Sequence, residues 1–348
     1  MKPIKAAIIS LAGTTLSDEE KFLLEHENPV GVSLFDRNIQ SPAQLTALTK
    51  EIKKVVGRND ILLSIDQEGG RVCRLKPPFF RSYLAQAAIG SMEQNEAKEA
   101  ARLHADLISY DLHSVGINCN FAPTLDVTFS SMTKALKSRC FSPHPETTAE
   151  LGQIIFSTYN QNAILPCIKH IPGHGSAHHD PHLQLSVIKR VYQRSLYPFK
   201  QLAPSALMAM TAHVVFSQYD NLPLTMSAKT IQQLVRNRLE FNGLLVSDAL
   251  EMKALPGTLP EKTIAARQAG CDIVCYCHGD YHGVKTVLDN CGCLSDLAMD
   301  TWKKISSLIS QPYHAIDIKL KAQRYEYLSS LAPVITDDYD AVEVLNQL

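Results

Sequence analysis

Apolar and polar positions alternate in blocks along this chain. Eight short apolar runs recur: AAIISLAG, VGVSLF, ILLSID, INCNFAP, ILPCIKH, ALMAMTAHVV, LLVSDA and DIVCYC. Each has the length and apolar character of a strand covered on both faces. Longer segments of helical period separate them. EAKEAARLHADLISYDLHSVG puts Ala101, Leu103, Leu107, Ile108 and Leu112 on one stripe, with Gly116 as a stop. AQLTALTKEIKKVVG opens at Ser41-Pro42 and closes at Gly57, and KTIQQLVRNRLEFNG is expected to run as a helix to Gly243. Strands alternating with helices in this way predict an α/β protein, a (β/α)8 barrel of the TIM type. A doubly wound open sheet is the competing architecture. The first run is not followed by G-x-G-x-x-G, which weakens the dinucleotide-binding form of that alternative. Past about residue 295 the segments TWKKISSLIS and AQRYEYLSSLA read as closing helices of a single catalytic domain spanning 1–348.

Composition narrows the partners. The 348 residues include 34 Lys and Arg against 35 Asp and Glu, so nothing in the charge balance calls for nucleic acid or an anionic membrane. No stretch approaches the ~18 apolar residues of a membrane span. The start, MKPIKAAIIS, superficially resembles a secretion signal, but it gives way to SDEE without a cleavage site and reads as a first buried strand. Nine scattered cysteines, mostly inside apolar runs, suit buried free thiols and a reducing, cytoplasmic setting.

Polar residues gather where the strands should end. Asp36, Arg37 and Asn38 follow the second run, Asp66 and Glu68 the third, and Asp126 the fourth. Lys169 and His170 end the fifth, His213 lies in the sixth, Asp248 in the seventh, and His278 follows the eighth. In such a barrel the active site is built on that rim. Three segments are sharper than the rest. DQEGGRV (66–72) offers two glycines for close backbone approach, with Arg71 and Arg74 nearby. A carboxylate beside a guanidinium can hold neighbouring sugar hydroxyls, and the alternative is a structural salt bridge in a tight turn. KHIPGHGSAHHDPH (169–182) packs five histidines into a loop that Pro172 and Pro181 keep from being a helix. It could hold a metal through several imidazoles, carry one histidine as general acid/base oriented by Asp180, or be a solvated loop. In LLVSDALEM (244–252), Asp248 could attack an anomeric carbon or simply cap a helix.

Taken in order, LFDRN (34–38), DQEGGRV, APTLDV (122–127), KHIPGHG (169–175), D-P-H (180–182), AHVVF (212–216) and SDALEM (247–252) resemble the β-N-acetylhexosaminidases of glycoside hydrolase family 3. The resemblance runs from about residue 10 to 280. It implies a (β/α)8 barrel and a retaining two-step mechanism without metal or cofactor. Carried over position by position, Asp248 matches the nucleophile, and His182 paired with Asp180 matches the acid/base. Asp66, Arg74, Arg139, Lys169 and His170 match residues that grip N-acetylglucosamine, with His213 at the rim. Two places depart from the family pattern. Pro181 stands where serine is usual, and Ser138-Arg139-Cys140-Phe141 replaces an aspartate-arginine-serine-phenylalanine run.

The short length resembles the peptidoglycan-recycling form, which implies a small-molecule substrate (a muropeptide bearing N-acetylglucosamine) and a monomer. Two other readings stay open: a metal-dependent hydrolase using the histidine loop 170–182, and a sugar-binding barrel without catalysis.

Overall fold

Ile8, Leu62 and Val246 turn inward while their neighbours Ile9, Leu63 and Leu245 turn outward, and this alternation with a period of two runs through the sheet. The computed structural model describes residues 2–174, 177, 184–315 and 317–335. Its main sheet comprises β1 (Lys5–Ser10), β2 (Pro29–Leu34), β3 (Leu62–Ile65), β4 (Cys119–Asn120), β5 in two pieces (Leu165–Pro166 and Ile168–Ile171), β6 (Met208–Thr211), β7 (Leu244–Ala249) and β8 (Ile273–Cys275). Neighbours are parallel throughout. The first piece of β5 pairs with β4 through Cys119 and Leu165, and the second with β6 through Ile168 and Ala209. β8 returns to β1 through Ala7 and Val274. The strand order therefore closes on itself into a barrel, and all eight apolar runs are its strands.

A helix follows each strand: α1 (Asp18–Glu27), α2 (Pro42–Val56), α3 (Gln94–Ser114), α4 (Pro145–Gln161), α5 (Gln193–Leu202), α6 (Ala228–Thr230 continued by a wider π turn, Ile231–Arg238), α7 (Leu259–Ala269) and α8 (Tyr281–Asn290). The expected caps are present. Ser41 accepts from the backbone of Gln44, and Gly57 closes α2 at φ +75°. The Lys229–Gly243 segment departs from expectation. Its amide at Leu239 bonds back to Leu234, so the coil is widened, and it ends at Arg238 rather than Gly243.

The interior holds Ile8, Phe121, Leu165, Met208, Met210 and Ile273, so the barrel is a packed core rather than a pore. α9 (Asp296–Ile309) plugs its N-terminal end, burying Trp302 and Ile305 against that core, with the Trp302 indole donating to Asp60 at 3.0 Å. With one mouth plugged, polar chemistry is confined to the opposite, C-terminal mouth. α10 (Ile318–Leu331) lies along α3, anchored by buried Tyr325 and Leu328 and by Lys321 on Asp106 at 2.7 Å. All nine cysteines are free thiols. No helix among the described residues is long and apolar enough to cross a membrane.

Candidate active site

At the C-terminal mouth, β3 delivers Asp66 and the loop after it delivers Glu68, while β5, two strands along the barrel wall, delivers Lys169. The Lys169 ammonium, 2% exposed, lies 2.7 Å from Asp66 and 2.6 Å from Glu68. Arg139 reaches Glu68 through two parallel bonds of 2.9 and 2.8 Å, and Arg74 lies 3.5 Å from Asp66. Five charged groups thus interlock below the mouth. Burial opposes the ionisation of Asp66 and Glu68, but the adjacent cations outweigh it and hold both carboxyls below the usual range. The same carboxylates raise the pKa values of Lys169 and Arg139 against the pull of burial. Lys169 and Arg139 are tied to Asp66 and Glu68 by short directional bonds, with Arg74 at longer ion-pair range, so the cluster can hold Asp66 and Lys169 in place for polar hydroxyls.

The loop that carries Arg74 is stapled by Gln67. Its amide accepts from the backbone N–H groups of Arg74 and Leu75 and donates to the Leu75 carbonyl, all within 2.9 Å. Asn120 of β4 bonds Gln67 at both backbone groups, locking the loop to the barrel.

A second group hangs from Asp126. Nδ1 of His170 donates to its carboxylate at 2.7 Å, and the backbone N–H of His174 donates to the other oxygen at 2.7 Å. Burial would raise the Asp126 pKa, yet these partners lower it to about 2. Nε2 of His170 points at Arg139, 3.4 Å away, and at Asp248, 4.0 Å away. Asp248 ends β7, with its side chain 13% exposed toward the mouth. Its Oδ1 accepts from the Ala249 N–H at 2.8 Å, and its own N–H donates to the Thr211 hydroxyl. The carboxylate is held at both ends of the residue yet reachable.

Six of the residues expected from the sequence therefore converge on one mouth: Asp66, Arg74, Arg139, Lys169, His170 and Asp248. His213 sits differently. It is fully buried, its Nδ1 bonded to Thr225 and its Nε2 to the Ala249 carbonyl, so it braces the residue next to Asp248 from behind and offers no surface to a ligand. Asp180 and His182, with Pro181, His178 and His179, lie outside the described residues.

Three further groups acquire a task only in three dimensions. Glu68 and Asp126 are the acceptors that organise Arg139, Lys169 and His170. Glu251 is the third: its Oε1 accepts from the Cys277 N–H at 3.0 Å, and burial, with Asp248 nearby, pushes its carboxyl up to about 7. Rim position marks Glu68 and Asp126 in the sequence, but not the side chains they hold. Glu251 carries no such signal, since in the sequence it falls in the helix that Asp248 could cap.

Asp126, His170 and His174 bring candidate ligand atoms within 4.8 Å of one another and could hold a metal ion. His174 is fully buried, its Nδ1 has no partner among the described residues, and burial lowers its pKa to about 4. A cation there would have to compete with the Asp126–His170 bond, which already satisfies the carboxylate.

Comparison with known proteins agrees with this architecture. The curated β-hexosaminidase of Alkalilimnicola ehrlichii is 36% identical over 281 residues, 78% of this chain and 80% of that protein. Among solved structures, native NagZ from Neisseria gonorrhoeae superposes with a TM-score of 0.82 at 27% identity, covering 95% of this chain and 99% of its own. The same protein is known with zinc and with N-trifluoroacetyl-D-glucosamine. A family 3 β-N-acetylglucosaminidase from Paenibacillus gives a TM-score of 0.80 at 28% identity over 93% of this chain, which spans 66% of that longer protein. The sequence profile of the glycosyl hydrolase family 3 N-terminal domain matches residues 4–308. With most of its length inside that profile, the chain belongs to glycosyl hydrolase family 3 and is a glycoside hydrolase.

Proposed function

We propose that this protein is a retaining exo-β-N-acetylglucosaminidase that removes terminal N-acetylglucosamine from peptidoglycan-derived (anhydro)muropeptides. One observation carries the reading: an accessible, braced carboxylate at Asp248 faces a fixed set of hydroxyl-binding charges, Asp66, Lys169 and Arg74, across the same mouth. Relatives named as β-hexosaminidases, and a neighbour solved with an N-acylglucosamine, support the sugar.

In this reading Asp66, Arg74, Arg139, Lys169 and His170 hold the sugar. Asp248 attacks C1, the glycosidic C–O bond breaks, and His182 gives its proton to the departing oxygen. Asp180 orients the ring and stabilises its charge. His182 then takes a proton from water, which attacks C1, releases Asp248 and delivers the sugar with its β configuration retained. His213 is a positioning residue behind Asp248. The free cysteines support a reducing, cytoplasmic compartment.

A 2-acetamido-2-deoxy-5-fluoro glycoside should trap the intermediate, and peptide mapping should find the label on Asp248. Turnover of an aryl β-N-acetylglucosaminide with the label on another residue would reject the assignment. The Asp126, His170 and His174 cluster favours one rival, a metal-dependent hydrolase. Activity that disappears with a chelator and returns with metal would establish that rival instead.

A further inference from the structure

We infer that Tyr325, on the C-terminal helix α10, is a positioning residue for the sugar-binding charges, acting through His104 and the backbone of Glu68. This rests on the function proposed above. The path is continuous and buried. The Leu84 N–H donates to the Tyr325 hydroxyl at 3.0 Å, the hydroxyl meets Nδ1 of His104 at 2.9 Å, and Nε2 of His104 meets the Glu68 carbonyl at 2.9 Å. Tyr325 is 3% and His104 1% exposed, so water cannot substitute for either partner.

Chemistry fixes the direction of each bond. A carbonyl only accepts, so Nε2 of His104 carries the proton and donates to Glu68. Burial lowers the His104 pKa to about 4, so the ring is neutral and its Nδ1 is a lone pair. That lone pair needs a donor, which is the Tyr325 O–H; the tyrosine oxygen in turn accepts from Leu84. One tautomer and one hydroxyl orientation satisfy all three bonds.

What the path holds is the hub of the site. The Glu68 side chain is gripped by Arg139 and Lys169, and Lys169 also binds Asp66. Any shift of the Glu68 backbone is therefore passed to three of the groups that face the sugar. Local sterics reinforce the coupling. A Cβ on Gly69, next to Glu68, would come within 2.7 Å of the His104 ring, so ring and loop are packed as one unit. α10 lies beyond residues 4–308, the part matched by the family's domain profile, so this brace comes from outside the common domain.

Tyr325→Phe keeps the ring and removes the hydroxyl. Its KM for an aryl β-N-acetylglucosaminide should rise about fivefold or more, with kcat within about twofold, because the groups that hold the sugar are loosened in the ground state. A role in stability alone would lower the melting temperature and the active fraction, hence the apparent kcat, and leave KM unchanged; that result overturns the inference. Arg324→Ala, next to Tyr325 on α10, removes an exposed pair with Glu99 of α3 and should leave KM unaltered. His104→Gln keeps an N–H for the Glu68 carbonyl and should stay closer to wild type in KM than His104→Leu. A KM equally raised in both would overturn the role assigned to that bond. Wild-type turnover of the same substrate checks the functional reading separately: its absence would sink that reading, whereas normal wild-type turnover with an unaltered Tyr325→Phe KM would sink only the relay.

Discussion

Asp126 accepts from Nδ1 of His170 at 2.7 Å and thereby aims the opposite ring nitrogen at Asp248, 4.0 Å away. Because the carboxylate is ionised well below neutral pH, it can only accept, and the His170 proton must sit on Nδ1. Asp126→Asn keeps the shape but can offer its amide N–H to the ring, which would move the proton to Nε2. Loss of tautomer control of this kind should lower kcat/KM by at least about tenfold while the fold persists. Steady-state kinetics beside a thermal melt would check it; unchanged kinetics would mean that the ring's proton position is irrelevant to turnover.

Glu68 answers two cations, and removing its charge should be felt in stability as well as activity. Glu68→Gln removes the carboxylate that Arg139 pairs with and, among the described residues, leaves Lys169 paired with Asp66. Breaking a buried pair from one side costs about 3–5 kcal/mol. Urea unfolding should show a drop of that order, and adding Lys169→Met should recover part of it by removing one positive charge from the now cation-rich cluster. A double variant no better than the single one would argue against the coupling between the two side chains.

The barrel was legible because burial on both faces leaves a strong trace: β7 reads LLVSDA, four buried apolar or small residues and then a carboxylate. Short strands such as β4, only Cys119–Asn120, were legible because INCNFAP continues the apolar run through residues that pack without sheet pairing. The site was legible in part. Asp66, Lys169 and Asp248 stand directly at strand ends, where the barrel's geometry dictates their direction. Arg139 stands on no strand and was reached only through the family resemblance. Glu68 and Asp126 were visible as rim charges, but their task, holding other side chains, depends on pairings between residues tens of positions apart. His213 is expected at the mouth because it follows ALMAMTA in the sixth apolar run and matches a rim histidine of the family. The segment Val214–Phe216 instead pairs with Ser186–Ile188, and the ring packs inward.

Acid should destabilise this protein through two buried histidines before the ion-paired carboxylates of its mouth protonate. His104 and His174 are buried with pKa values lowered to about 4. An unfolded histidine titrates near pH 6.5, so below that pH the unfolded chain binds protons that the folded chain refuses. These two rings should therefore withdraw stability as pH drops from about 6.5 toward 4, by up to about 1.4 kcal/mol per unit for each, while Glu251, its carboxyl raised to about 7, offsets one such share between about pH 7 and 4.5, so the net slope is that of about one ring. The depressed carboxyl of Glu68 adds its own loss only below about pH 4.3, where unfolded glutamate protonates. Urea midpoints at pH 7 and pH 5 would read the slope. His104→Gln should flatten it, and an unchanged slope would place the proton uptake elsewhere.

Gly69 is the position where backbone geometry and chemistry meet most tightly. Its φ of +106° is open to glycine and strained for any L side chain, and a Cβ there would lie 2.1 Å from the Leu84 carbonyl oxygen. That oxygen belongs to the backbone, so it cannot rotate away as a flexible side chain could, and the Leu84 N–H is already committed to Tyr325. Gly69→Ala must therefore push the Glu68–Gly70 turn away from residues 83–85 or distort both, at a cost of about 2–5 kcal/mol from strain and overpacking together. Because His104 is the next nearest group, at 2.7 Å, the displacement should also disturb its bond to the Glu68 carbonyl. The expected result is a lower urea midpoint together with a raised KM in the fraction that remains folded. A variant that loses stability but keeps the wild-type KM would show that the turn can yield without moving the charges it carries.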